Sequence, residues 1–126
     1  MSSPTQRTIK ELKKAGGFYQ IVEHFNHFSN TRRDLFGFLD LLHLDPISLA
    51  IVGIQVTGGG NLSARRTKIL GERRDQAEAW LRCGGRILIH DWRKVKLKRG
   101  GKAMRWRCRE VEITLKDFIA EVNVFS

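Results

Sequence analysis

An α/β fold is what this sequence predicts, and three features predict it. Helix signals with capping residues lie near both ends and in the middle of the chain. Short apolar runs of strand length lie between them, and glycine or proline turns separate the runs. The order read along the chain is helix, three strands, helix, two strands, helix, with no internal repeat and no long linker. A chain of 126 residues suits a single domain, residues 1–126, with its own core.

Each element has a local reason. Ser3 is a good N-cap, Pro4 suits the first helical position, and Gln6 completes a Ser-x-x-Gln capping box. Ile9 and Leu12 give that helix an apolar stripe, and Gly16-Gly17 stop it. "FYQIVEHF" then reads as a first strand, with a second helix as the open alternative, and "SNTRRD" as a polar turn. "LFGFLDLLHL" is an apolar run ended by Asp45-Pro46, and "LAIVGIQVT" supplies the next strand. Residues 38–56 therefore form an antiparallel hairpin with its loop near Asp45 to Ser48. After Gly58-Gly59-Gly60, "NLSARRTKILGERRDQAEAWLRCGG" reads as a helix. Asn61 or Ser63 caps it, Ala77, Trp80 and Leu81 mark its core face, and Gly84-Gly85 close it. "RILIHDW" is another strand, and the Thr-x-x-Asp box opening "TLKDFIAEV" favours a short terminal helix.

The net charge of +10, from 23 Lys and Arg against 13 Asp and Glu, makes an anionic partner the economical explanation. Nucleic acid is the first candidate and an acidic membrane surface the second; a basic surface that merely aids solubility is the plainer reading. The polar, basic start "MSSPTQRTIKELKK" is no signal peptide, and no run approaches the roughly 18 apolar residues of a membrane span. Cys83 and Cys108 lack metal-like spacing and read as reduced thiols of a cytoplasmic protein. His24, His27, His43 and His90 show no zinc spacing. Trp80, Trp92 and Trp106 are most simply core anchors. Trp106 would stack on a base only if its face were exposed.

"RKVKLKRGGKAMRWRCR", residues 93–109, holds nine Lys or Arg and forms a basic hairpin. With Gly100-Gly101 as the turn centre, Lys96 faces Arg105 and Lys94 faces Arg107, while Val95 faces Trp106 and Leu97 faces Met104. Lys94, Lys96, Lys98, Arg105, Arg107 and Arg109 would then form one cationic face. Like charges opposite one another are tolerable in solvent and favourable against phosphates. Such a face speaks of backbone binding, not of sequence readout.

Asp40 and Gln55 interrupt apolar strands, and a buried carboxylate is costly unless it is paired or bound to metal. Around a loop near Pro46 to Ser48 the two can fall opposite each other, and together they offer hard oxygen ligands for Mg²⁺. A satisfied core aspartate at a strand end explains Asp40 equally well. Glu23 would add a carboxylate if its strand borders the site, although a surface position is simpler. Gly58-Gly59-Gly60 before a capped helix would let backbone N–H groups approach a phosphate, with Thr57, Asn61, Ser63 and Arg65 around it; a flexible turn is the alternative.

A helix, a strand, Asp40, then Gln55-Val56-Thr57 across a hairpin, then a basic helix: this arrangement resembles the PD-(D/E)xK nucleases. It is most similar to the small Holliday-junction-resolvase-like and VRR-type nucleases of phage and bacteria. The resemblance covers the first 90 or so residues. It implies a restriction-endonuclease-like mixed sheet flanked by helices, to which the basic hairpin is an addition. It also implies a metal-dependent DNA endonuclease, structure-selective in the manner of a resolvase, using Mg²⁺ or Mn²⁺ and acting as a cytoplasmic homodimer.

Asp40 would be the motif's metal-binding acid, Gln55 would stand at its second acidic position, and Thr57 at its lysine. Gln6 would sit where many members carry a further acid, or act only in its capping box. Leu39 replaces the motif's proline. Threonine cannot supply a lysine's charge. Lys68, Arg65 or Arg66 would reach back to replace it, or Asp34 would add a second carboxylate to the metal, or catalysis is lost and a DNA-binding or structural protein remains. An RNA-binding accessory protein is a third reading.

Overall fold

The computed structural model describes residues 3–123. The chain runs α1 (Pro4–Ala15), β1 (Phe18–Ile21), β2 (His24–Asn26), β3 (Thr31–Arg33), β4 (Leu41–Asp45) and β5 (Ala50–Gly58). It continues through α2 (Leu62–Leu70), α3 (Arg74–Arg82), β6 (Arg86–Lys96), β7 (Met104–Ile113) and α4 (Leu115–Asn123). Five strands form one sheet in the order β1-β4-β5-β6-β7, and β2 with β3 makes a separate two-stranded ribbon. Within the large sheet β5 and β6 are parallel and every other pair is antiparallel. This is the mixed sheet flanked by helices that the sequence predicts, and the basic hairpin is the prolonged end of β6 and β7. Among the described residues no helix is long and apolar enough to cross a membrane.

Strand alternation divides the core in two. Ile9 and Leu12 of α1 pack on Leu41, Val52 and Ile54 on one face of the sheet. Leu62, Ile69, Leu70, Ala77 and Phe118 from the other helices pack on Ile87, Ile89 and Ile113 on the opposite face. A buried polar chain seats α1. Trp92 Nε1 donates to Thr8 Oγ1 at 2.8 Å, and Thr8 Oγ1 lies 3.2 Å from His90 Nδ1. Glu110 Oε2 lies 3.0 Å from His90 Nε2. With the indole donating to the hydroxyl, the hydroxyl proton is directed to Nδ1 and the imidazole proton to Glu110.

Three elements depart from the sequence reading. "LFGFLDLLHL" is a strand only from Leu41. Before it, Leu35 to Leu39 form a tight turn with Gly37 at φ +82°. Phe38 and Leu39 are adjacent in sequence yet both fully buried in one core cluster, which strand alternation forbids and the turn permits. "FYQIVEHF" breaks into β1 and β2 at Val22, whose N–H donates to the Asp40 carbonyl at 2.9 Å. The long helix divides at Gly71, where a glycine within a helix costs about 1 kcal/mol and the chain turns instead. Asn61, not Ser63, is the N-cap of α2.

Gly53 makes room for Leu39. A Cβ on Gly53 would lie 2.6 Å from Leu39 Cδ2, and Leu39 is fully buried directly before Asp40. We expect Gly53→Ala to lower unfolding stability by about 1–3 kcal/mol through overpacking. Denaturant titration measures that loss, and an unchanged midpoint would contradict the close approach.

Candidate metal centre and nucleic-acid face

The turn at 46–49 sets the register of β4 and β5, pairing Leu41 with Ile54, so Asp40 and Gln55 come opposite each other at the end of the hairpin. Asp40 N–H donates to the Ile54 carbonyl at 2.9 Å. Its Oδ2 accepts from Val56 N–H at 2.7 Å and from Gln55 Nε2 at 3.1 Å. Asp40 is 5% exposed and Gln55 2%. Gln55 Oε1 is buried without a hydrogen-bond partner, an orphan acceptor of the kind native cores rarely leave.

Two further carboxylates join Asp40. The β2–β3 ribbon pairs His24 with Arg33, so Glu23 directly before it and Asp34 directly after it are its two feet. Carboxylate oxygens of Glu23, Asp34 and Asp40 all lie within 4.8 Å of one another. They line a cleft of about 310 Å³ shared with Ser3, Pro4 and Thr5 of the first helical turn, Gln55, Val56 and Thr57 of β5, and Arg32 and Arg65. The N-terminal end of α1, electropositive by its dipole, therefore borders the acids.

Crowding has a titration consequence. Burial raises the Asp40 pKa to about 8 against the partial relief of the Val56 N–H, and the charge and hydrogen bond of Asp34 and the charge of Glu23 push the same way. A hard divalent cation would remove this repulsion. Three carboxylates plus the unpartnered Gln55 oxygen are an all-oxygen donor set that fits Mg²⁺ or Mn²⁺.

Of the residues read from the sequence, Asp34, Asp40, Gln55, Thr57 and Arg65 meet in this cleft. Gln6 is not among its lining residues, and its backbone N–H donates to Ser3 Oγ at 3.2 Å, as its capping role requires. Lys68 lies outside the lining, and Arg66 pairs with Asp117 at 2.8 Å toward α4. Glu23 and Arg32 are what sequence reasoning underweighted. Arg32 Nε is 2.7 Å from Glu23 Oε1. Glu23 was read as more simply a surface residue, and Arg32 lies inside the stretch read as a polar turn.

The glycine loop is not a vacant phosphate cradle. Gly59 N–H donates to the Trp92 carbonyl at 3.3 Å and Gly60 N–H to the buried Asp91 carboxylate at 3.4 Å. An acid thus occupies the place the sequence reading gave to an anion. Asn61 Nδ2 instead ties the loop to the Gly58 carbonyl at 2.8 Å.

The basic hairpin is slipped by one residue from its expected register. Lys96 pairs with Met104, Val95 with Arg105, Lys94 with Trp106 and Arg93 with Arg107. Gly101 N–H donates to the Lys98 carbonyl at 3.1 Å, and Gly100 takes φ +78°. The turn therefore centres on Arg99-Gly100, where a glycine third in the turn supplies the positive φ. The slip re-sorts the charges. Arg93, Arg105, Arg107 and Arg109 share a face with Asp91 and, through the β5–β6 pairing, with Gln55 and Thr57. Lys94 and Lys96 fall on the other face with Met104 and Trp106. Lys98 lies in the connecting loop. Trp106 is not a core anchor. It is 38% exposed, with the Arg7 guanidinium 3.8 Å and the Lys94 ammonium 5.4 Å from its ring centroid. Trp92 is buried, as expected of an anchor.

The raised Asp40 pKa fixes a sign. The folded state holds the proton more tightly than the unfolded chain, so this contribution to stability is present below about pH 4 and is lost as pH rises toward 8. Melting temperature across pH 5 to 9 should fall more steeply for the wild type than for Asp40→Asn. At pH 8, Mn²⁺ should raise the wild-type value, by about 1.4 kcal/mol of stability per tenfold excess over Kd, and leave Asp40→Asn nearly unmoved. Equal responses in the two proteins would remove Asp40 from the metal site.

Comparison with protein-family models, with curated proteins and with solved structures finds no significant match to this chain.

Proposed function

We propose that the chain is a Mg²⁺- or Mn²⁺-dependent DNA endonuclease that hydrolyses phosphodiester bonds. The observation that carries this reading is the cluster of Glu23, Asp34 and Asp40 beside the orphaned Gln55 oxygen, in a cleft whose Gln55 and Thr57 share a sheet face with the arginines. Asp40, Asp34, Glu23 and Gln55 would hold the cation. When bound, it would supply an acidified water and neutralise charge on the phosphate.

The protein's own groups then have defined tasks. Asp40 would have to lose its proton to hold the cation, since a carboxylic acid ligates only as the carboxylate. The Thr57 hydroxyl, lining the same cleft, orients the attacking water or the scissile phosphate. Arg65 carries positive charge to the cleft in place of the missing lysine, as Lys68 and Arg66 do not. Arg105, Arg107 and Arg109, with Arg93 beside them, hold the strand that leaves the site. Thr57 lies two strand spacings from Arg109 through Asp91, roughly 10 Å, a span of about three nucleotides. Lys94, Lys96 and Lys98 extend the cationic surface around the ribbon's end. A cytoplasmic homodimer is the setting the resemblance implies.

One observation favours a second reading, a DNA-binding protein without catalysis. Among the described residues the cleft is lined by no ammonium group, and one of its two guanidinium groups, that of Arg32, is paired with Glu23.

Cleavage separates the two. Duplex, branched and single-stranded DNA incubated with Mg²⁺ or Mn²⁺ should be cut by the wild type, with chelator abolishing the reaction. Asp40→Asn and Glu23→Gln should each lower the rate roughly 100-fold or more. No cutting of any substrate, or equal cutting by Asp40→Asn, would sink the nuclease reading. Binding measured against salt should have a slope that shrinks by about one for each of Arg105, Arg107 and Arg109 changed to alanine, in either reading.

A further inference from the structure

The β2–β3 ribbon has no part in the chemistry so far except through its feet. All six of its strand residues are exposed, and it forms its own sheet apart from the five-stranded one. At its tip Phe28 is fully exposed, at 103% of its reference area. An aromatic ring standing wholly in water forgoes the stabilisation that burial would return.

The tip is built, not slack. Asn26 Oδ1 accepts from the Phe28 N–H at 2.9 Å and from the Ser29 N–H at 3.3 Å, an Asx turn that presents the ring. Ser29 Oγ and Thr31 Oγ1 lie 2.6 Å apart across the turn, and Asn30 closes it at φ +54°. One residue back, Phe25 and His27 meet edge to face with centroids 5.0 Å apart. Arg32 and Arg33 are exposed on the returning strand.

The feet aim the tip. Glu23 and Asp34 are two of the three clustered carboxylates, so a cation held there would clamp both ends of the ribbon at once. From Arg32, at the cleft, the strand and turn carry Phe28 roughly 10 Å outward, about three nucleotide spacings along a strand.

We infer that the β2–β3 ribbon is a wedge for nucleic acid. Phe28 inserts between or stacks on bases a few nucleotides from the clustered carboxylates, with Arg32 and Arg33 on the adjoining phosphates. Aromatic side chains on charged supports do this work elsewhere in two ways, by unstacking a duplex step or by stacking on an already unpaired base. Both favour substrates whose bases are easily freed: branched, nicked or single-stranded DNA. The inference rests on the reading of this site as one that takes DNA, and it adds which DNA.

The test needs no cleavage. DNA duplexes and three-way branches carrying 2-aminopurine at successive positions are titrated with the full chain, in chelator and again in Ca²⁺. The wild type should brighten the probe at one or two adjacent positions, more strongly on branched than on continuous duplex. Phe28→Ala should abolish that rise and weaken binding to branched DNA roughly 10-fold, while Phe28→Trp keeps both. Because Phe28 touches no core residue, Phe28→Ala should melt with the wild type.

No brightening by the wild type, or equal brightening by Phe28→Ala, overturns the wedge. So does a Phe28→Ala protein whose only change is a smaller sedimenting mass, since the ring would then be a contact between copies of the chain. If brightening depends on Phe28 but no DNA is ever cut, the wedge stands and the nuclease reading falls.

Discussion

A carboxylate buried where two strands meet organises the rest of this molecule. Asp40 lies at the mouth of the β4–β5 hairpin, its Oδ2 held by the Val56 N–H and the Gln55 amide. The backbone before it is fixed by Leu39, which fills the notch left by Gly53, and by the tight turn that turns Phe38 and Leu39 into one core cluster. Two more acids are then brought to it by the feet of a ribbon, and the amino end of α1 is seated beside them by the Thr8–His90–Glu110 chain. The Val56 N–H, the Gln55 amide and the Arg32 guanidinium offset part of this crowding, and Asp40 still holds its proton more tightly than a free carboxyl does. That is a local frustration which ordinary packing would have removed, and its survival points to a ligand that relieves it.

The sheet gives this centre a direction. Thr57, Asp91 and Arg109 form a row across three strands on one face, and Arg107, Arg105 and Arg93 continue outward from it. The buried Asp91 sits between the cleft and the arginines and is bonded to the Gly60 amide, so it separates two electrostatic regions. On one side the acids would favour a cation; on the other the guanidinium groups would favour an anion. A polyanion with its counter-cation fits that division in a way that a simple anion or a simple metal ion does not. The opposite face of the same ribbon is different in kind, with Lys94 and Arg7 over the Trp106 ring.

Much of this was legible from residue order, and the failures have physical reasons. The Asp40–Gln55 pairing followed from counting around one proline-containing turn, because a short turn leaves antiparallel strands little freedom of register. The basic hairpin failed on the same principle. Gly100-Gly101 offers two adjacent turn centres, and only the structure shows that Gly100 alone takes the left-handed conformation that selects Arg99-Gly100. One residue of slip moved Lys94 and Lys96 to the other face. Phe38 and Leu39 misled because a run of apolar residues looks the same whether it alternates across a sheet or turns into a core. Glu23 was named as a carboxylate that would join the site if its strand bordered it, but a surface position was the simpler reading for want of any periodicity around it. It is brought to Asp40 by the pairing of two three-residue strands too short and too polar to leave a pattern. Arg66 was read by its neighbours in sequence, whereas its position on the helix sends it to Asp117.

The neighbouring feet of the β2–β3 ribbon have an evolutionary consequence. Glu23 and Asp34 are set side by side by the first pair of the ladder, His24 with Arg33; the second pair, Phe25 with Arg32, adds the Arg32 guanidinium on Glu23, and the ribbon residues beyond it are not among those lining the cleft. Residues can therefore be added to or removed from the ribbon in facing pairs without shifting a single donor atom in the cleft. The centre that would bind the cation and the arm that reaches away from it are free to diversify independently. A lineage built on this chain could change what it reaches for while leaving its chemistry untouched.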